Sequence, residues 1–346
     1  MDDIFCEFAL SPSITLKNKI VMAPMTRRFA EPEGIPSPLM APYYAKRSGS
    51  GLIITEGTLI STDAIGYGNV PGIYNEECIN AWKKITDSVH KNNGVIFCQL
   101  WHCGRVSHRS FHNNKLPISA SKTSMDSPLG NSGYYCSESR AATTKEIVEI
   151  INDFSVAAKN AIYSGFDGVE IHAANGYLID QFLHACTNIR NDLYGGTPES
   201  RARFCLDIVD KCANTIGSDK IGVRISPAGH MAEIKTSSQD HLTFKFLLDE
   251  LQKKRICYVH TGNFNDAIIH PELDNQTMTN FIRSNFNGNV IASGSYTLES
   301  ALEFIKKDKR NLIAFGRPFI ANPDLIEKIK SKIPWKCYSK KMLNTL

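Results

Sequence analysis

The chain contains no Cys-x-x-Cys pair, no Gly-Lys-Ser/Thr loop and no apolar run long enough to cross a bilayer. The first absence, with several of the ten cysteines set in apolar stretches (Cys98, Cys205, Cys212, Cys257), points to reduced thiols and to no metal site. The second excludes a phosphate-binding loop of the nucleotide-hydrolase kind. Gly66-Tyr-Gly68 has its next glycine at Gly72, one place too late for the dinucleotide fingerprint. The third excludes a membrane helix, and the acidic start Met1-Asp-Asp-Ile-Phe-Cys lacks the basic, apolar and small-residue succession of a signal peptide, so a cytoplasmic location is expected. Charge of one sign is not massed anywhere. The formal +4 is spread along the chain apart from short clusters such as Lys306-Lys307 and Lys340-Lys341, which argues against a nucleic-acid partner.

What the chain does have is rhythm. Its 346 residues are 42% hydrophobic, ample for a large core. Eight short β-prone apolar runs recur along it: Lys19 to Met25, Leu52 to Gly57, Val95 to Leu100, Gly168 to Ile171, Ile221 to Ile225, Tyr258 to Thr261, Val290 to Ser293 and Leu312 to Phe315. Amphipathic stretches lie between them, at Ile79 to His90, Lys145 to Tyr163, Glu199 to Thr215, Leu242 to Lys253, Met278 to Phe286 and Leu298 to Lys306. Eight such repeats without a nucleotide fingerprint predict an α/β fold, a single parallel (β/α)8 barrel over residues 1–346. A small N-terminal hairpin, Phe5 to Leu10 with Thr15 to Leu16, is expected to plug one end. The segment 102–140, rich in Ser, Asn and Pro, is too long for a bare connection after the third strand and is expected to cap the other.

In a barrel of this kind, function sits on the loops after the strands. After the fourth run come His172, Asn175 and Tyr177, an imidazole, an amide and a phenol able to converge on one small ligand. Singly, each has an ordinary reading as core histidine, helix cap or packing residue. After the seventh and eighth runs come Ser293-Gly294 and Gly316-Arg317, where glycine lets amides approach a phosphate and Arg317 supplies a cation; capping glycines and a paired arginine remain the other reading. Gln99 and Arg224 inside the barrel mouth need partners. A planar heterocycle edged with carbonyl and N–H groups, such as isoalloxazine, would satisfy both, as would an internal hydrogen-bond network.

Four stretches, Ala23-Pro-Met-Thr-Arg27, Gln99-Leu-Trp-His-Cys-Gly-Arg-Val-Ser-His108, His172-Ala-Ala-Asn-Gly-Tyr-Leu-Ile-Asp-Gln-Phe182, and Tyr194-Gly-Gly followed by Arg201-Ala-Arg-Phe204, resemble the Old Yellow Enzyme family of flavin-dependent ene-reductases. The similarity runs in order from the first strand to about Asn322. It implies FMN on the barrel mouth, reduced by NAD(P)H, and ping-pong hydride delivery to an electrophilic alkene. His172 and Asn175 would hold the substrate oxygen and Tyr177 would donate the proton. Pro24, Met25, Thr26, Gly57, Gln99, Arg224, Ser293, Gly294, Gly316 and Arg317 match the family's flavin-contacting positions, with Thr26 near a flavin carbonyl. Tyr67 and Trp101 match aromatic walls of the substrate pocket. The chain departs from the family after the eighth strand, where Ile333-Pro-Trp-Lys-Cys-Tyr338 replaces a glycine-rich aromatic segment, leaving the far wall of the pocket unassigned. The absence of an iron–sulfur cysteine cluster separates it from the large dienoyl-CoA reductase relatives. A monomer or homodimer is expected. Two other readings stand beside the ene-reductase: a flavin-binding redox protein without alkene reductase activity, and a flavin-dependent uridine reductase acting on RNA.

Overall fold

A computed structural model of the chain describes residues 2–129, 133–229 and 231–346; residues 130–132 of the 102–140 insertion and His230 fall outside the described residues. Eight parallel strands close into a ring: β1 Ile20–Met22, β2 Leu52–Ile54, β3 Ile96–Trp101, β4 Gly168–Ala173, β5 Ile221–Ile225, β6 Tyr258–Thr261, β7 Val290–Ala292 and β8 Asn311–Phe315. Each strand pairs with the next, and β8 pairs with β1 through Ala314 and Val21, so no edge is left open. Six major helices alternate with them, namely α1 Glu76–His90, α2 Thr144–Tyr163, α3 Pro198–Ile216, α4 Asp240–Lys254, α5 Met278–Asn285 and α6 Leu298–Lys307. The fold is the (β/α)8 barrel read from the sequence.

Helix starts follow local chemistry. Asn75 accepts the Cys78 N–H ahead of α1, Thr143 and Glu146 form a reciprocal capping box on α2, and Thr197 accepts the Ser200 N–H with Pro198 opening α3. Strand ends differ from expectation in two instructive ways. β1 and β2 stop three residues early: Pro24 has no N–H for the ladder, and after Ile54 the pairing with β3 is interrupted until Thr58 and Leu59 meet Leu100 and Trp101. β4 instead runs on to Ala173, since β5 supplies Arg224 and Ile225 as register partners for His172 and Ala173. His172 therefore projects from a rigid strand rather than from the turn after it.

The strands Phe8–Ser11 and Ile14–Leu16 form the antiparallel N-terminal hairpin. Its Leu10, Ile14 and Leu16 join one apolar cluster with Val21, Ile54, Phe97, Tyr258 and Leu312 from the strands. The hairpin thus packs on the strands as an end plug. In the 102–140 segment, a short 3-10 turn at Arg109–His112 and a pairing of Ile118–Ser119 with Arg140–Ala141 are the regular elements among the described residues.

Candidate functional site at the C-terminal ends of the strands

Inside the barrel, the side chains of four neighbouring strands build a polar layer. Gln99 on β3 lies beside Glu170 on β4, and Arg224 on β5 beside His260 on β6. Gln99 Nε2 donates to Glu170 Oε1 at 2.7 Å, and His260 Nδ1 donates to Glu170 Oε2 at 2.8 Å. Burial works against the charged form of Glu170, but the His260 contact, the Arg224 cation and the Gln99 hydrogen bond outweigh it and hold the carboxyl below its ordinary range. Glu170 lies within the apolar run Gly168 to Ile171 and is not among the site residues expected from the sequence. A lone carboxylate in a strand that is otherwise wholly buried was the available signal.

Above this layer opens a cavity of about 400 Å³, within the size range of ligand pockets. Pro24, Met25 and Thr26 after β1, Gln99 and Trp101 on β3, His172 on β4, Arg224 on β5, Ser293 and Gly294 after β7, and Gly316 and Arg317 after β8 all line it, together with Asn175 and Tyr177. Two expected residues are not part of the wall. A Cβ on Gly57 would fall 2.5 Å from the Trp101 ring, so Gly57 lets the indole sit where it does. Tyr67 stacks on Trp101 at 5.7 Å and places its hydroxyl 3.4 Å from that of Tyr177. Gly57 thus adjoins the cavity by way of Trp101, and Tyr67 by way of Trp101 and Tyr177. The walls that the sequence did not reveal are supplied by Met231, Asn263, Phe264, Tyr296 and Tyr338. These come from loops distant in sequence, which carry no periodic pattern to read.

His172, Asn175 and Tyr177 converge. The rings of His172 and Tyr177 meet edge to face at 5.1 Å, and Trp101 lies 6.4 Å from His172 and 4.8 Å from Tyr177. Asn175 takes a left-handed conformation, φ 60°, in the turn that carries Tyr177 to the start of the short helix Leu178–Leu183. Burial, with the Arg224 cation and the neighbouring His260 imidazole, lowers the His172 pKa well below its ordinary value, so the imidazole is neutral at pH 7. Burial, with the neighbouring Tyr67 and Cys103, raises the Tyr177 pKa well above that of a free phenol, so the hydroxyl keeps its proton. The pair is set as hydrogen-bond donors.

The far wall is closed by the C-terminal segment. Tyr338 reaches the cavity, with the Arg317 guanidinium 5.9 Å from its ring. Asn322 brackets Lys336, accepting its N–H at 2.8 Å and donating to its carbonyl at 3.0 Å, and Arg27 Nη2 donates to the Met342 carbonyl at 3.0 Å.

The residues present fit FMN. Arg224 Nε is buried with no acceptor among the described residues, and an unpaired guanidinium nitrogen is costly unless a ligand supplies an oxygen. Gly294, at φ 127°, and Gly316 offer backbone without side chains beside Arg317, as a phosphate requires. Among the described residues no group of His, Cys, Asp and Glu is placed to hold a metal ion, and no helix is long and apolar enough to cross a membrane.

Comparison with known proteins agrees with this geometry. Residues 3–336 match the model of the NADH:flavin oxidoreductase / NADH oxidase family. The chain is 38% identical over 354 residues to 12-oxophytodienoate reductase 7 of Oryza sativa subsp. japonica, covering 96% of this chain and 89% of that one. It is 36% identical over 343 residues to 12-oxophytodienoate reductase 2 of Arabidopsis thaliana, covering 95% and 89%. Among solved structures, the Old Yellow Enzyme homologue of Zymomonas mobilis superposes with a TM-score of 0.92 at 33% identity, covering 98% of this chain and 96% of that one. Morphinone reductase in complex with tetrahydroNAD superposes with a TM-score of 0.89 at 34% identity, covering 98% and 93%. With its eight-stranded barrel, its flavin-shaped donor set and these relatives, the chain belongs to the NADH:flavin oxidoreductase family of Old Yellow Enzyme barrels, FMN enzymes that draw reducing equivalents from a nicotinamide nucleotide.

Proposed function

We propose that the enzyme is an ene-reductase, taking hydride from NAD(P)H and reducing the activated C=C bond of α,β-unsaturated carbonyl or nitro compounds in a ping-pong cycle. The observation that carries this reading is the meeting of a neutral imidazole, an amide and a protonated phenol on one cavity wall, at His172, Asn175 and Tyr177. FMN, when bound, stores the hydride between the two half-reactions. His172 and Asn175 donate to the carbonyl or nitro oxygen, polarising the conjugated bond and stabilising the charge that develops there; losing one such donor costs roughly 3–4 kcal/mol. Tyr177 delivers its proton to the α-carbon. A phenol is a weak acid, but a strongly basic carbon centre draws its proton.

On the cofactor side, Pro24, Met25, Thr26, Gln99 and Arg224 bind the ring, and Ser293, Gly294, Gly316 and Arg317 the phosphate. Gly57 and Tyr67 set the position of Trp101. Related chains are named for reduction of 12-oxophytodienoate and morphinone, which supports a small organic acceptor. The whole chain acts as one barrel domain with 102–140 as its cap, working in the cytoplasm as a monomer or homodimer on free small molecules rather than RNA.

The test is an anaerobic visible spectrum of the FMN-loaded protein, reduced with NADPH and then mixed with a simple cyclic enone. Colour that bleaches and then returns is expected. Colour that bleaches and stays away while the enone remains unreduced would leave a redox protein without alkene reductase activity.

A further inference from the structure

Beneath the turn that presents Asn175 lies a buried charge that no step above uses. His184 follows the short helix Leu178–Leu183 and is fully inaccessible. Its Nδ1 lies 3.1 Å from Asp240 Oδ2, and its Nε2 lies 3.2 Å from the Ser226 carbonyl oxygen and 3.3 Å from Asp180 Oδ1. The hydrogen-bond roles are forced. A carbonyl oxygen only accepts, so Nε2 carries a proton. The Asp240 carboxylate already accepts N–H groups from Ala185 at 2.9 Å and Ser237 at 2.8 Å, so Nδ1 donates to it as well. His184 is therefore an imidazolium. Burial opposes that charge, but Asp180 and Asp240 outweigh it and push its pKa up to about 10.

Both neighbours of Nε2 reach the substrate-facing turn. Asp180 Oδ2 accepts the Gly176 N–H at 2.8 Å. Ser226, whose carbonyl the imidazolium holds, donates its hydroxyl to the Gly262 carbonyl at 2.7 Å, accepts the Asn175 N–H at 3.2 Å and lies 3.3 Å from Asn175 Oδ1. Asn175 and Gly176 both sit at positive φ, 60° and 79°, the left-handed region that asparagine and glycine enter more readily than other residues. The two consecutive amides that define it are each gripped by a group that His184 grips in turn.

We propose that His184, acting through Ser226 and Asp180, is a positioning residue that fixes the side chain of Asn175 for the substrate oxygen. This rests on the ene-reductase reading for the role of Asn175, and on geometry alone for the grip. Removing the pin lets the amide donor wander, and a displacement of about 1 Å at a donor is enough for a rate loss on the order of a hundredfold.

The test compares Ser226→Ala and His184→Gln with the wild-type FMN-loaded enzyme. Four quantities are read: bound FMN, the rate of reduction by dithionite, which needs no donor pair, kcat and KM for a cyclic enone, and deuterium exchange of the Asn175 and Gly176 amides. The expected result is at least a tenfold fall in kcat/KM for the enone and faster exchange of both amides, with FMN content and dithionite reduction unchanged. Ser226→Ala keeps the imidazolium and both carboxylates and removes only the hydroxyl link, so should His184→Gln not fold, wild-type kcat/KM and unchanged exchange in Ser226→Ala would still overturn the proposal. A lowered melting temperature with wild-type kcat/KM and unchanged exchange would overturn the proposal, leaving a structural role only. If the wild-type enzyme reduces no enone, the ene-reductase reading falls and the exchange data alone judge the pin: faster exchange upholds it and unchanged exchange sinks it.

Discussion

At the scale of single residues, the barrel mouth uses burial to choose protonation states. Tyr177 is held protonated and His172 neutral by the same loss of water. Replacing Tyr177 with Phe removes the proposed proton donor and little else, so enone reduction should slow by about 10²- to 10⁴-fold while reduction of the flavin by NAD(P)H proceeds; rapid-mixing absorbance separates the two. Equal slowing of both halves would take Tyr177 out of that role. A second buried acid lies close by. Glu56 Oε2 accepts the N–H groups of Arg27 and Arg28 at 2.9 and 3.2 Å, next to the cavity residue Thr26, and burial raises its pKa from 4.5 to about 7 against the pull of those hydrogen bonds. The folded protein therefore keeps a proton that the unfolded chain releases above pH 4.5. Its stabilising effect is complete below that pH and is lost as pH rises through 7, a swing of about 3 kcal/mol. Glu56→Gln retains an acceptor for both amides and removes the ionisation, so urea unfolding of the variant should lose less stability than wild type between pH 5 and pH 8. Parallel curves would show that Glu56 does not titrate in that window.

At the scale of elements, the site is a set of turns at strand ends, and each turn has its own lock. A side chain at Gly294 would meet the Asp266 backbone nitrogen at 2.7 Å and would have to adopt φ 127°. Gly294→Ala should therefore strain this turn, proposed above to hold the phosphate, by about 1–3 kcal/mol, weakening FMN binding roughly ten- to a hundredfold by equilibrium dialysis, with the helical content unaltered. The C-terminal wall hangs on Asn322. Asn322→Ala removes both hydrogen bonds to Lys336, and trypsin should then cut after Lys332 and Lys336 faster than in wild type while the barrel resists; an unchanged digestion would mean that Arg27 suffices as the anchor. These turns also mark where sequence reading succeeded and where it stopped. Apolar runs bounded by Gly, Pro and polar residues located all eight strands, and the residues just past them located most of the cavity. The polar layer under the cavity was hidden because Glu170 is matched by Gln99 and His260, each more than seventy positions away in the chain. Tyr338 was hidden for a similar reason: its place depends on Asn322 and Arg27, and no local pattern announces either contact.

At the scale of the whole molecule, function and stability occupy opposite ends of one barrel. The hairpin supplies Leu16, fully buried among strand residues at the end away from the cavity. Leu16→Ala should lower unfolding free energy by about 2–5 kcal/mol while leaving FMN affinity and enone kinetics of the folded protein at wild-type values. A parallel loss of FMN affinity would show the two ends to be coupled.

Closure of the ring has a consequence for how the protein is made. The β1 strand lies between β2 and β8, and the Lys19 ammonium just ahead of it holds the Lys309 carbonyl, 290 positions away. On the ribosome, synthesis delivers the first strand long before its last partner, so one edge of β1 waits unpaired through most of translation. The turns after β7 and β8 that line the cavity are also among the last parts to emerge. A nascent chain thus cannot close the barrel, nor complete the cavity mouth, until β8 and the turn after it have been made.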